Sequence, residues 1–182
     1  LTAEQRIVGL TLLPTHVLGP LYDDKEVVLD LRAIAADGRQ FQVEVQVRAY
    51  DSYAERVLFY WSGLYHGQLG AGKTYRDLNP VVAVHFLFFN LLPPDEQHRY
   101  CHHIFDVRER SSGYRLTDHL ELHTLEMLKF KKDSVSLADD EERWLLFLKR
   151  GHEMTTDEVA SLGLPALVEA EKKLSHISQD KL

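Results

Sequence analysis

Polar and apolar residues alternate strictly through QFQVEVQVRA, residues 40–49. Phe41, Val43, Val45 and Val47 fall on one face; Gln40, Gln42, Glu44, Gln46 and Arg48 fall on the other. A period of two predicts a half-buried strand with its apolar side toward the core. The preceding run EVVLDLRAIA, 26–35, is rich in branched residues, and Asp37-Gly38 between the runs marks a hairpin. NPVVAVHFLFFN, 79–90, is a continuous apolar run bounded by Asn-Pro and Asn, which predicts a buried central strand. YCHHIFDVRE, 100–109, and LELHTLEMLKF, 120–130, read as further strands, the second ambiguous with helix. Residues 7–13 read as a helix end or a short strand, and 14–26, with Pro14, Gly19, Pro20 and Asp23-Asp24, as a loop.

The pattern changes to a helical period over 51–69, where Ala54, Val57, Leu58, Trp61, Leu64 and Tyr65 make an apolar stripe. Ser52 and Glu55 carry the spacing of a capping box, and Gly70-Ala71-Gly72 marks the stop. Residues 137–150 and 155–178 predict two further helices, the second broken near Gly163-Leu164-Pro165. Trp144, Leu145, Phe147 and Leu148 form a packing face on the first of them. These elements predict an α/β fold with a mixed sheet of about four to five strands and flanking helices. The expected organisation is a domain over 1–135, with a helical extension over 136–182 packed on it.

Composition narrows the function. A chain of 182 residues fits one domain with a real core. The longest apolar run, Val81 to Phe89, is too short to span a bilayer, so no membrane is expected. Cys101 is the only cysteine, which rules out an intrachain disulfide and suits a reducing cytoplasm. A net charge of -7 argues against a general nucleic-acid coat protein, yet leaves room for an acidic metal site with a basic rim. The chain opens on Leu1, which reads as a trimmed or processed end.

GQLGAGKT, 67–74, matches the phosphate-loop pattern G-x-x-x-x-G-K-[ST]. That loop works where a strand turns into a helix whose N-terminus faces the anion. Here a helix precedes the motif and a strand follows it. A helix C-terminus carries partial negative charge, so the segment reads as a helix-to-strand connection and not as a nucleotide site.

The polar face of the hairpin is the better candidate, because Asp30 places a carboxylate inside an apolar run. A two-residue turn at Asp37-Gly38 would set Asp30 opposite Val45. A three-residue turn, Ala36-Asp37-Gly38, sets it opposite Glu44, with Val43 opposite Leu31 and Val45 opposite Leu29, so the hydrophobic pattern selects the longer turn. Two carboxylates about 5 Å apart repel unless solvated, protonated or neutralised by a cation. A hard divalent ion such as magnesium suits them. From pattern alone the same face also reads as the wet side of an antiparallel sheet, with Arg32 and Arg48 as counter-charges.

The ordered blocks DDKEVVLDLRA (23–33), DGRQFQVEVQ (37–46), ERVLFYWSGLYHGQL (55–69), GKTYRDLNPVVAVHFLFF (72–89) and LELHTLEMLKF (120–130) carry a family likeness. The chain resembles the recombination-promoting nuclease and transposase family of the PD-(D/E)XK nuclease superfamily. The resemblance implies a restriction-endonuclease-like fold with a C-terminal helical region, and a magnesium-dependent DNA endonuclease in which manganese can substitute. It implies Asp30 and Glu44 as metal ligands, and Gln46 as the third catalytic residue, where most of the superfamily has lysine. Arg56 and Tyr60 lie where the family has an arginine and an aromatic, which suggests a phosphate contact; a packing arginine is the alternative. It also explains GQLGAGKT as a Gly-rich loop after a helix ending Y-x-x-Q-L, with Tyr75 and Pro80 following. The family usually has a further N-terminal helix, and Glu4 is the only acid near the start of this chain. A homodimer is the default expectation. The alternative is a non-catalytic nucleic-acid-binding or protein-interaction module that keeps the nuclease fold.

His98, Cys101, His102 and His103 cluster, and His119 and His123 are four apart. Neither has the paired spacing of a zinc site. A nucleophilic role for Cys101 has no support beyond its histidine neighbours.

Overall fold

The computed structural model describes residues 7–12, 29–93, 95, 99–131, 136 and 139–179. Residues 14–26, read above as a loop, lie outside them, as do Glu4 and His98. The chain divides into two compact units, residues 1–129 and 130–182.

The first unit holds β1 (Ile7–Leu12), β2 (Leu29–Ala35), β3 (Gln40–Gln46), α1 (Tyr53–His66), β4 (Val81–Leu87), β5 (His102–Asp106) and β6 (Leu120–Glu126). The strands form one mixed six-stranded sheet in the order β1-β2-β3-β4-β6-β5. β1 supplies the strand beyond the expected four to five and resolves 7–13 as a strand. β4 runs parallel to both neighbours, while the β1-β2, β2-β3 and β5-β6 pairs are antiparallel. Its central, parallel position suits its largely apolar run, interrupted by His85.

The hairpin turn is the three-residue one. Leu29, Asp30 and Leu31 pair with Val45, Glu44 and Val43. Ala35 and Arg39 close the turn through Ala35 N–H to the Arg39 carbonyl at 2.9 Å. Gly38 has φ +84°, the left-handed conformation that glycine adopts without a Cβ penalty. A Cβ there would also lie 2.6 Å from Asn79 Oδ1.

The burial of β3 reverses the sequence expectation. Gln42, Glu44 and Gln46 are buried, Phe41, Val43 and Val45 are half-buried, and Val47 is exposed beyond the strand end. The alternation was read correctly, but the covered side is the carboxamide and carboxylate side. β3 is an inner strand, and on that side Tyr53 and Val57 of α1 pack with Ala83, Leu87 and Leu122 into a core cluster. Trp61 packs against this cluster and donates from Nε1 to the Val81 carbonyl at 2.9 Å.

α1 differs from expectation at both ends. Ser52 sits at φ -105°, ψ 28° and its side chain caps nothing, so the capping box with Glu55 does not form. That backbone conformation is not the extended one from which an N-cap side chain reaches the helix N–H groups. The helix stops at His66 with Gly67 as cap, before Gly70. Its inner face is Tyr53, Val57 and Leu64; Ala54 and Leu58 are exposed.

GQLGAGKT follows the C-terminus of α1 and leads through a short 3-10 turn, Tyr75–Asp77, into β4. Gln68 fastens this connection: its Nε2 donates to the Asn79 carbonyl at 3.0 Å and its Oε1 accepts from Asn79 N–H at 2.9 Å. Lys73 Nζ donates to the Gln68 carbonyl, and Thr74 and Asp77 form a capping box. The letters of a phosphate loop are used here to tie a helix end to a strand start.

The second unit contains α2 (Asp140–Arg150), α3 (Thr156–Ser161) and α4 (Pro165–Gln179). The break falls at Gly163, with φ +68°, as the sequence suggested. Leu145, Leu146 and Phe147 are buried, while Leu148 is exposed, which narrows the expected packing face. Arg143 bonds the Leu162 carbonyl at 2.9 Å and pairs with Asp140.

Candidate functional site

The hairpin register makes Asp30 the cross-strand partner of Glu44, and the β3–β4 register makes His85 the partner of Glu44 on the other side. Thr124 of β6 and His103 of β5 continue the row. Paired residues of neighbouring strands share a face, so one line of polar positions crosses five strands beside α1.

Glu44 is 3% exposed. A buried carboxylate is costly unless its oxygens are bonded. Here Gln42 Nε2 donates to Oε1 at 2.7 Å and Gln46 Nε2 donates to Oε2 at 3.0 Å. Residues two apart on a strand project to the same side, so the Q-x-E-x-Q spacing builds this clamp from one strand. The two donors fix the carboxylate in place.

His85 Nδ1 lies 3.6 Å from Glu44 Oε2, beyond hydrogen-bond length. Burial, with the nearby Arg56 charge, lowers the imidazole to about 4, so it is neutral at neutral pH. Tyr53 meets His85 edge-on at 5.8 Å between ring centroids. Burial, and then the charge of Glu44, push the Tyr53 phenol above its ordinary range. Tyr53 OH, His85 Nδ1 and Thr124 Oγ1 are buried and make no hydrogen bond. They line one cavity of about 310 Å³ between α1 and the β5–β6 side, with Leu122, Phe105 and Asp106.

Arg56 of α1 lies over the rings of Tyr50 and Tyr60, 5.4 Å from each centroid. The sequence pair Arg56–Tyr60 is thus a real contact, and its stacking holds the guanidinium near the Glu44–His85 row.

A second buried carboxylate went unnoticed in the sequence. Glu126 is fully buried, pairs with Lys129 Nζ at 2.9 Å and accepts from Leu91 N–H at 3.1 Å. It anchors the segment after β4. The i,i+3 Glu-Lys spacing was its only sequence signal. His85 had a clearer one, as the single polar residue of the apolar run 81–89.

The histidines separate. His102 and His103 alternate along β5: His103 approaches Glu126 at 3.5 Å, while His102 bonds His123 at 2.8 Å. His123 also bonds Glu121, whose carboxyl is held low by His123 and Arg115 against the opposing effect of burial. His119 meets the Tyr65 hydroxyl at 2.8 Å. Among the described residues, no three His, Cys, Asp or Glu side chains gather as a metal-holding group.

Whether the residues fit a divalent ion depends on the donor set. Oxygen donors at adjacent register positions, one of them fixed by two amide donors, match what such ions take. His85 Nδ1, beside Glu44, makes no hydrogen bond. The donor set fits.

No helix of the described residues is long and apolar enough to cross a membrane. No curated protein and no solved structure matches the chain. The model of the PD-(D/E)XK nuclease family transposases matches residues 1–181, and the α/β fold with its mixed sheet agrees; the protein belongs to that family.

Proposed function

We propose that the protein is a divalent-metal-dependent DNA endonuclease that hydrolyses phosphodiester bonds, with magnesium or manganese as the ion. The observation that carries the reading is the pairing of Asp30 with Glu44 across the hairpin, Glu44 being a buried and clamped carboxylate. Asp30 and Glu44 hold the ion. When bound, it supplies Lewis acidity toward the phosphate and makes a water more acidic. Gln46 gives one amide hydrogen to Glu44, and its carbonyl oxygen, an acceptor, would be the group to orient an attacking water. Being neutral, it adds less charge stabilisation than a lysine would. Arg56, stacked on Tyr60 and Tyr50, contacts a flanking phosphate.

A second reading is a non-catalytic nucleic-acid-binding module, favoured by the enclosure of Glu44. An end-labelled duplex incubated with the protein and Mg²⁺ or Mn²⁺ separates the two. Cleavage that needs the ion and disappears in Glu44→Gln supports the enzyme. Binding without cleavage under either ion supports the module.

A further inference from the structure

We propose that the cavity beneath α1 receives a single nucleobase turned out of the DNA duplex. The proposal rests on the DNA-cleaving reading above and adds to it a contact with the substrate at a base. The cavity, of about 310 Å³, has a buried floor and an exposed mouth. Tyr53, His85 and Thr124 on the floor are 5%, 2% and 3% exposed, whereas Leu58, Phe105 and Val107 at the mouth are 48%, 37% and 36% exposed.

The lining selects the ligand by hydrogen bonding, charge and size. Tyr53 OH, His85 Nδ1 and Thr124 Oγ1 are buried and make no hydrogen bond, which folded interiors rarely leave so. They come from three elements, α1, β4 and β6, yet their side chains line one space. A ligand with several polar atoms satisfies such a floor; a hydrocarbon does not.

Charge excludes a second class. Among the described residues, the one ionised side chain of the lining is Asp106, and Arg108 and Arg115 already pair with it at 2.7 and 3.4 Å. No lysine or arginine of the described residues lines the cavity, so a phosphate finds no counter-charge inside it. The ligand is therefore neutral. At about 30 Å³ of liquid volume each, about ten waters fill the space, close to the number of non-hydrogen atoms in a purine. A duplex cannot enter, so a base reaches the floor only by leaving the stack. Phe105 and Tyr53 present rings against which its face packs.

The surroundings suit a strand whose phosphates stay outside. Arg108 follows Val107 at the mouth, and Arg110 and Arg115 belong to the same β5–β6 connection. Arg56, the phosphate contact put forward above, falls in the same turn of α1 as Ala54 and Leu58, which line the cavity.

The test is binding of the full chain to two labelled duplexes, one fully matched and one with a single mismatch that contains 2-aminopurine. Anisotropy and 2-aminopurine emission are read in a chelator and again with Ca²⁺. A mismatched base costs less to unpair, so the wild type should bind that duplex about tenfold more tightly, and emission should rise severalfold as the base leaves the stack. Thr124→Val removes one floor hydroxyl and should cut the preference severalfold. Leu58→Trp fills the mouth from an exposed position and should bring the two duplexes within about twofold of each other; it carries the test should Thr124→Val fail to fold. Equal binding of both duplexes with no rise in emission would overturn the base pocket and leave the nuclease reading standing. A preference that survives both variants would put the base elsewhere and overturn it too. Free 2-aminopurine riboside that binds and is displaced by Leu58→Trp, with no preference between the duplexes, would assign the cavity to free nucleosides and overturn the DNA source. No binding to either duplex would overturn the pocket, and plasmid nicking by the same protein would then decide the nuclease reading by itself.

Discussion

Replacing Gln46 with leucine tests the clamp on Glu44 directly. The Gln46 amide donates to a carboxylate that is almost completely enclosed, at 3.0 Å. A hydrogen bond to a charged group contributes about 1.5–3 kcal/mol, and leucine of similar size removes it without opening a large cavity. Gln46→Leu should therefore lose about 1.5–3 kcal/mol in the metal-free protein. Gln42→Leu is the matched control. It removes an equivalent donor at 2.7 Å, but also removes Gln42 Oε1, a buried acceptor with no partner. Relief of that unpaired oxygen returns about 1–3 kcal/mol, so the control should come out near neutral. The assay is urea unfolding at neutral pH with a chelator present. A Trp144→Phe background leaves Trp61 as the only tryptophan, so its fluorescence follows the unit that contains the clamp. With a typical slope of about 2 kcal/mol per molar urea, the Gln46→Leu midpoint falls by roughly 1 M. Equal effects of the two variants, or a larger loss for Gln42→Leu, would refute the clamp. In a Glu44→Leu background the cost of Gln46→Leu should largely vanish, which measures the coupling itself.

Gly38→Ala forces a side chain into left-handed backbone and against Asn79, and should cost about 1–3 kcal/mol by urea unfolding. Trp61→Phe strips the indole donor from the Val81 carbonyl and should lower the thermal midpoint by several degrees, read by circular dichroism. His85 has a folded pKa of about 4 against an ordinary 6.5, lowered first by burial and then by Arg56. The unfolded chain then binds the extra proton between those values, so metal-free stability is full above pH 6.5 and falls by up to roughly 3 kcal/mol as pH drops through 4. His85→Asn should flatten that part of the pH profile, and an unchanged profile would contradict the assignment.

Much of the site was legible because register is a local property. The spacing of Val43, Val45, Leu29 and Leu31 admits one turn length, and that length fixes Asp30 opposite Glu44. The side on which the core lies was not legible. A strand carries its alternation, but the elements packed on the sheet decide which face is covered, and α1 packs on the side that carries Gln42, Glu44 and Gln46. His85 stood out in the apolar run, yet its approach to Glu44 depends on a parallel pairing between segments forty residues apart. Glu126, Thr124 and the His102–His123 contact depend on the pairing of β6 with β4 and β5, which no local pattern encodes. Ser52 shows the opposite failure: a correct capping spacing without the backbone conformation that would use it.

The most direct measurement is nicking of supercoiled plasmid by the wild type and by Asp30→Ala, each with Mg²⁺, with Mn²⁺ and with a chelator. The account expects relaxed circles with the ions, none with the chelator, and at least a hundredfold loss of rate in the variant, about 2.7 kcal/mol of transition-state stabilisation. Cleavage that persists in Asp30→Ala, or in the chelator, would contradict the assignment of the metal-binding carboxylates.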